Sequence, residues 1–310
     1  MSAAPASLRF GLAGTGHWAS IVHAPALAST EGIELAAVWG RNPVAASELA
    51  ARHGAAGFGD FGAFLAEVDA VAFAVPPDVQ ARLATEAAAA GRHLLLEKPI
   101  ATSEPAAETL THAVAEAGVA SVVFFTARFQ PDVRAWLAEV AQHQWAGGSV
   151  VWLGTALAEG NPFNTPWRRE KGGLWDLAPH LVSLLWASLG AVQAVTADAG
   201  SGDVTHLILH HQGGASSTVT VTVGAPEAAD GSAGFLWGDA GWSQLPGETG
   251  RPADALRLAL TELAANIRSG RTDHECDVRF GRDVGRVLAD AQRQLDQRQA
   301  AADGRARGPG

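Results

Sequence analysis

Over the first 125 residues, short apolar runs alternate with alanine-rich stretches. Segments 8–12, 34–39, 70–75, 93–96 and 119–125 are rich in Val, Leu and Phe and too short for helices, so they read as strands. Between them, segments 18–29, 43–52, 78–90 and 104–117 carry capping residues and good helix formers. Strands separated by helices predict right-handed crossovers and a parallel sheet covered on both faces.

Beyond Phe125 the pattern changes. Segments 149–156, 191–197, 205–211 and 216–223 look like longer strands with alternating or β-branched residues. Gln212-Gly213-Gly214 is turn-like and favours antiparallel pairing of its neighbours. Helices are expected at 131–142, 176–189, 253–268 and 282–299. Strands followed by helices suggest an α+β domain with a large, open, mostly antiparallel sheet and helices on one face. If the open face includes Val219, Val221 and Val223, it is too apolar to stay wet, which predicts a homodimer or homotetramer built on it. The last stretch, 300–310, is small, polar and Gly-rich, and is expected to be disordered.

A chain of 310 residues suits two domains rather than one core. Its 47% apolar content supplies both, and only 17% charged residues exclude a disordered chain or a coiled coil. A formal net charge of -10 argues against a nucleic-acid partner, which needs a basic face. The single cysteine, Cys276, cannot close an internal disulfide, so a reducing cytoplasm is the expected compartment. No stretch approaches the about 20 apolar residues a membrane span needs, and the first nine residues lack a secretion signal's apolar core.

Gly11-Leu12-Ala13-Gly14-Thr15-Gly16-His17-Trp18-Ala19 follows the first expected strand and opens a helix. Gly14, Gly16 and Ala19 form a G-x-G-x-x-A pattern: one glycine for the tight turn, one for close approach of a pyrophosphate, and a small residue for helix–sheet packing. The helix start beyond offers free N–H groups to phosphates. A plain Gly-rich turn is the competing reading in a chain with 35 glycines. At the end of the second strand the chain reads Val38-Trp39-Gly40-Arg41-Asn42. An NAD site usually has an acid there for the ribose hydroxyls; Gly40 instead leaves room for the 2′-phosphate of NADP, and Arg41 can pair with it. NADP is therefore the expected cofactor and NAD the alternative, unless Arg41 is an ordinary surface residue.

The fourth strand ends Val75-Pro76-Pro77, and the fifth leads into Glu97-Lys98-Pro99. Farther on come Arg128-Phe129-Gln130-Pro131, Trp167-Arg168, and Gly172-Gly173-Leu174-Trp175-Asp176-Leu177-Ala178-Pro179-His180. Together with the Gly-rich turn, these resemble the Gfo/Idh/MocA family of glucose–fructose oxidoreductase and inositol dehydrogenase-like enzymes, over most of the chain. The resemblance implies a Rossmann domain at 1–125 and an α+β substrate-binding and dimerisation domain at 126–299. It also implies a cis Lys98–Pro99 bond. On that basis the cofactor residues are Gly11, Gly14, Thr15, Gly16, His17, Trp18, Gly40, Arg41, Asn42, Pro76, Pro77, Glu97 and Lys98. The residues themselves agree in part. A lysine at the carboxyl end of a parallel strand can favour a developing alkoxide, although a lone lysine there is often just a solvated charge. Asp176 and His180, four apart, would share one helix face, with the carboxylate orienting the imidazole for proton exchange. A capping Asp and a buried His are the alternative. No metal site is expected, because His206, His210 and His211 have no carboxylate motif nearby.

The reaction implied is reversible hydride transfer between nicotinamide and a secondary alcohol carbon of a sugar, inositol or related polyol. Lys98, Asp176 and His180 would be catalytic and would meet in a cleft between the domains. Arg128, Asn164, Trp167, Arg168 and Trp175 would line the substrate pocket with them. Two alternatives stay open: a reductase of a dihydrodiol or tetrapyrrole-type substrate, and an inactive cofactor-sensing regulator. Asp78-Val79-Gln80 stands where the family often has Asn and His, so that ribose contact is not carried over. The chain has no tyrosine, which excludes a catalytic Tyr, and a second domain short for the family suggests a small substrate.

Overall fold

The computed structural model describes residues 6–247 and 250–306. It divides into two compact units, Met1–Pro131 with Gly250–Asp283, and Asp132–Thr249 with Val284–Gly310.

The first unit runs β1 (Leu8–Ala13), a π-helical turn (Ala19–His23) continuing into α1 (Ala24–Ser29), β2 (Ile33–Trp39), α2 (Pro43–Ala51), β3 (Ala56–Phe58), α3 (Phe61–Ala66), β4 (Ala70–Phe73), α4 (Pro77–Ala89), β5 (His93–Glu97), α5 (Glu104–Ala117) and β6 (Ser121–Phe124). The strands form a six-stranded sheet in the order 3-2-1-4-5-6, every pair parallel. Leu94, Leu95, Leu96, Val122, Val123 and Phe124 are fully buried, as continuous apolar runs covered on both faces must be.

The second unit contributes α6 (Pro131–Val140), β7 (Trp145–Leu153), α7 (Pro166–Asp176), α8 (Ala178–Leu189), β8 (Val192–Ala199), β9 (Thr205–His211), β10 (Ser216–Thr222), β11 (Gly231–Gly238) and β12 (Gly241–Gln244). Its sheet has the order 12-11-7-10-9-8, with β7 and β10 parallel and the other pairs antiparallel. The Gln212-Gly213-Gly214 turn joins β9 to β10, with both glycines at positive φ. The chain then enters α9 (Pro252–Ser269) and α10 (Val278–Ala306).

Three expectations are corrected. The segment Gly250–Asp283, placed by sequence in the second domain, packs within the first unit, where α9 contacts α1, β5 and β6. Residues 300–306, expected to be disordered, continue the helix α10; residues 307–310 lie outside the described residues. Finally, Val219, Val221 and Val223 do not lie on an open face. They are 0% exposed, because α7 and α8 cover that side of the sheet. The alternation of β9 and β10 sends Thr218, His206, Ile208 and His210 to the other side.

Candidate active site

In the first unit, β1 and β4 lie side by side where the strand order reverses, the place at which open α/β sheets take ligands. Gly14 follows β1 with φ 138°, and a Cβ there would come 2.3 Å from the Ala74 carbonyl oxygen. Only glycine turns the chain this tightly beside the strand. A Cβ on Gly16 would meet nothing within 4 Å, at the start of the helix that begins at His17. An open, glycine-lined helix start fits a pyrophosphate held by backbone N–H groups. The half-buried Thr15 sits beside it, and His17 is exposed.

Gly11, expected at the cofactor, is a packing residue inside β1: a Cβ would come 2.3 Å from the Phe64 ring. A Cβ on Gly40 would lie 2.7 Å from Thr15 Cγ2, so Thr15 occupies the space that an acidic side chain at 40 would need. Arg41 is exposed. Asn42 caps α2, its Oδ1 accepting from the Val44 N–H at 3.0 Å and the Ala45 N–H at 3.4 Å. Pro76 is exposed and Pro77 begins α4.

Lys98 follows the carboxyl end of β5, and the Lys98–Pro99 bond is cis, as the resemblance implies. Gln80, fully buried on α4, holds this turn through the main chain. Its Nε2 donates to the carbonyls of Glu97 (2.8 Å), Pro99 (3.2 Å) and Ile100 (3.4 Å), and its Oε1 accepts from the Glu97 N–H at 2.8 Å. The Glu97 carboxylate turns to the opening helix, accepting from Trp18 Nε1 at 2.7 Å and bonding His23 Nε2 at 2.9 Å. Trp18 and Glu97, both expected to touch the cofactor, are thus bonded to each other. The sequence marks Gln80 only as part of a departure from the family pattern, and it does not mark His23. A composition signal for Lys98 does exist: Lys98 and Lys171 are the only lysines among 22 Lys and Arg residues.

In the second unit, the helix expected to start near Asp176 starts at Ala178, and Asp176 ends α7. Gly172 breaks α7 with φ 61° and ψ -164°. Across this break Arg168 reaches Asp176, its Nε donating at 2.7 Å and its Nη2 at 3.3 Å. The guanidinium also lies 5.3 Å from the Phe163 ring and 4.7 Å from the Trp167 ring. His180 is buried in the first turn of α8 with its ring 5.5 Å from that of Trp152. Gly173 permits close approach to β10, a Cβ there falling 2.9 Å from Thr222 Cα.

Three residues expected in the substrate pocket have local partners. Arg128 is buried in the first unit, bonding Glu275 at 2.7 Å and lying over the Phe280 ring. Trp175 is buried and donates to Gln292 at 3.0 Å. Asn164 donates to the Leu157 carbonyl at 2.9 Å and accepts from Arg169 at 2.9 Å. Each satisfies a local polar need. Among the strand histidines, His206 bonds Thr220. His211 contacts the Gly190 carbonyl and Ser217, and burial lowers its pKa below the ordinary value. Among the described residues no group of three or more His, Cys, Asp or Glu could hold a metal ion, and no helix is long and apolar enough to cross a membrane.

Residues 8–125 match the family model described as an oxidoreductase family with an NAD-binding Rossmann fold, GFO_IDH_MocA. The 4-carboxy-2-hydroxymuconate-6-semialdehyde dehydrogenase of a Sphingobium species is 29% identical over 212 residues, which are 64% of this chain and 63% of that enzyme. The match thus spans less than two thirds of that relative's length. Among solved structures, the WlbA dehydrogenase of Bordetella pertussis, in complex with NADH and UDP-GlcNAcA, has a TM-score of 0.80 at 23% identity, covering 94% of this chain and 97% of that one. Levoglucosan dehydrogenase, in complex with NADH and levoglucosan, has a TM-score of 0.80 at 18% identity, covering 94% and 98%. At these identities the two structures share the fold, in both sheets. The unit at 8–125 is thus similar to the NAD-binding Rossmann fold of the Gfo/Idh/MocA oxidoreductases.

Proposed function

We propose that this chain is an NAD(P)-dependent dehydrogenase acting on a secondary alcohol carbon of a sugar, inositol or related polyol. The observation that carries the reading is Lys98, a rare lysine set at the end of a parallel strand on a turn fixed by Gln80. When bound, the nicotinamide supplies the acceptor or donor of hydride. Backbone N–H groups around Gly14, Thr15 and Gly16 hold its phosphates. The Lys98 ammonium donates to the reacting hydroxyl and favours its alkoxide character, and an imidazole nitrogen of His180 takes the proton. Asp176 orients the polar groups around it while Arg168 fixes the carboxylate. Trp167, half-buried on α7, offers an indole surface to a sugar ring.

The test is a panel of sugars, inositols and polyols, followed by nicotinamide absorbance with either cofactor. Turnover of a polyol supports the reading, and tight cofactor binding with no turnover favours a sensing role instead. The Sphingobium relative, with a semialdehyde rather than a sugar in its name, favours a second panel of aldehydes and dihydrodiols.

The preferred cofactor is NADP. β2 is followed by Gly40, with no carboxylate to repel a 2′-phosphate, and then by exposed Arg41. Arg41→Ala is expected to weaken NADP by about 1.5–3 kcal/mol, the scale of a charge-assisted hydrogen bond, and to leave NAD nearly unchanged. Calorimetric titration of both cofactors checks this, and equal affinities in the parent protein count against it.

The partner is a second copy of the chain, as dimer or tetramer. The side of the second sheet away from α7 and α8 carries Ile208, 45% exposed, and Trp242, 73% exposed, with Trp242 against Phe235 and Trp237. Ser149 and Thr218 beside them carry no charge, so two copies meet there without repulsion. Light scattering at micromolar concentration should give at least a dimer, and Trp242→Glu should shift it to monomer.

A further inference from the structure

Trp18 and His23 stand five residues apart, roughly 140° around an ordinary α-helix and so on different faces. Here the helix widens: Ala24 N–H bonds the Ala19 carbonyl, five residues back, in the π-turn Ala19–His23. Such wide turns occur often at functional sites. The widened turn brings both side chains to one carboxylate oxygen, Glu97 Oε1, at 2.7 and 2.9 Å. Glu97 is 13% exposed and His23 0%. The other oxygen of Glu97 lies 3.3 Å from the Lys98 N–H. The buried Nδ1 of His23 has no hydrogen-bond partner among the described residues. A buried imidazole with one unpaired nitrogen costs free energy that an apolar side chain of its size would not. The bond from Nε2 to Glu97 is what sets His23 apart from such a side chain.

We infer that Trp18 and His23 are positioning residues for the Lys98 ammonium, acting through the Glu97 carboxylate. The same helix opens at the Gly-rich turn, so it fixes the lysine turn from one side while Gln80 fixes it from the other. The inference rests on the reading of Lys98 as the substrate-facing group. The chain's two lysines make it testable without a substrate, since Lys171, paired with Glu170 in the other unit, serves as an internal reference.

The experiment is trace acylation of the whole protein across a pH series, reading Lys98 against Lys171 by mass spectrometry. Wild type is compared with His23→Leu, Trp18→Phe and His23→Gln. A displaced ammonium should alter the Lys98-to-Lys171 ratio by about threefold, as its access to the reagent changes. His23→Gln, which keeps an N–H donor, should return it towards wild type. Where a substrate is turned over, kcat should fall by about 10- to 100-fold with KM for the cofactor little changed, as for a displaced reacting group. Unchanged ratios in folded His23→Leu and Trp18→Phe overturn the inference. So does a lower melting temperature with no change in ratio, which marks a purely structural bond. A shifted ratio in a protein that turns over no substrate supports the clamp and counts against the dehydrogenase reading, so the two fail separately.

Discussion

Lys98→Met should lower turnover by at least about 100-fold, and by as much as about 10,000-fold, while the nicotinamide cofactor still binds. Methionine keeps the length and much of the volume of the side chain and removes only its charge and its donors. The main-chain bonds from Gln80 to residues 97, 99 and 100 do not involve the ammonium, so the turn should stay in place. The loss should therefore fall on kcat, because an interaction that strengthens as the hydroxyl becomes an alkoxide acts in the transition state rather than in binding. Lys98→Arg should be nearly as poor. Arginine keeps the charge but spreads it over a larger plane and cannot give up its proton. Steady-state kinetics on both variants, with calorimetry of cofactor binding, checks this. Near-normal turnover in Lys98→Met would remove Lys98 from the mechanism.

The parallel sheet was legible because its strands are covered on both faces and read as unbroken apolar runs bounded by helix formers. The elements that escaped have weak patterns for physical reasons. β3 is three residues long and largely exposed, and β11 carries three glycines in eight residues. α7 hides behind Pro166, Gly172 and Gly173, and its break at Gly172 is real. The apolar stripe of α9 shows that the helix is buried, but not that its contacts lie with residues more than a hundred positions earlier. The valines of β10 were read correctly as one face and assigned to the wrong side: an apolar face is the one that helices of the same unit cover first. At the site, Glu97-Lys98-Pro99 could be read because its chemistry is local. Gln80 and His23 could not, because their partners lie 17 and 74 residues away. At Asp176, the Gly172 break brings Arg168 to the carboxylate, a contact that spacing alone does not show.

His180→Ala is expected to cut turnover by about 100- to 10,000-fold, the usual range for a positioned acid–base. The proposed role is compatible with a side chain that is buried and has the Trp152 ring beside it. Its helix turn is secured independently: the His180 N–H bonds the Leu177 carbonyl, and Ser183 Oγ bonds the His180 carbonyl at 2.7 Å. Neither bond uses the ring, so its removal should leave α8 intact. Alanine opens a cavity beside Trp152, so His180→Gln is the companion variant, keeping most of the volume and a hydrogen-bonding end but no group that exchanges a proton near neutral pH. Both variants should lose kcat to a similar degree and melt within a few degrees of each other. Cofactor affinity should be unchanged in both, because the turn at Gly14 and Gly16 proposed to hold the phosphates belongs to the first unit. A His180→Gln protein that keeps most of its turnover would assign the proton to another group and leave His180 a packing residue.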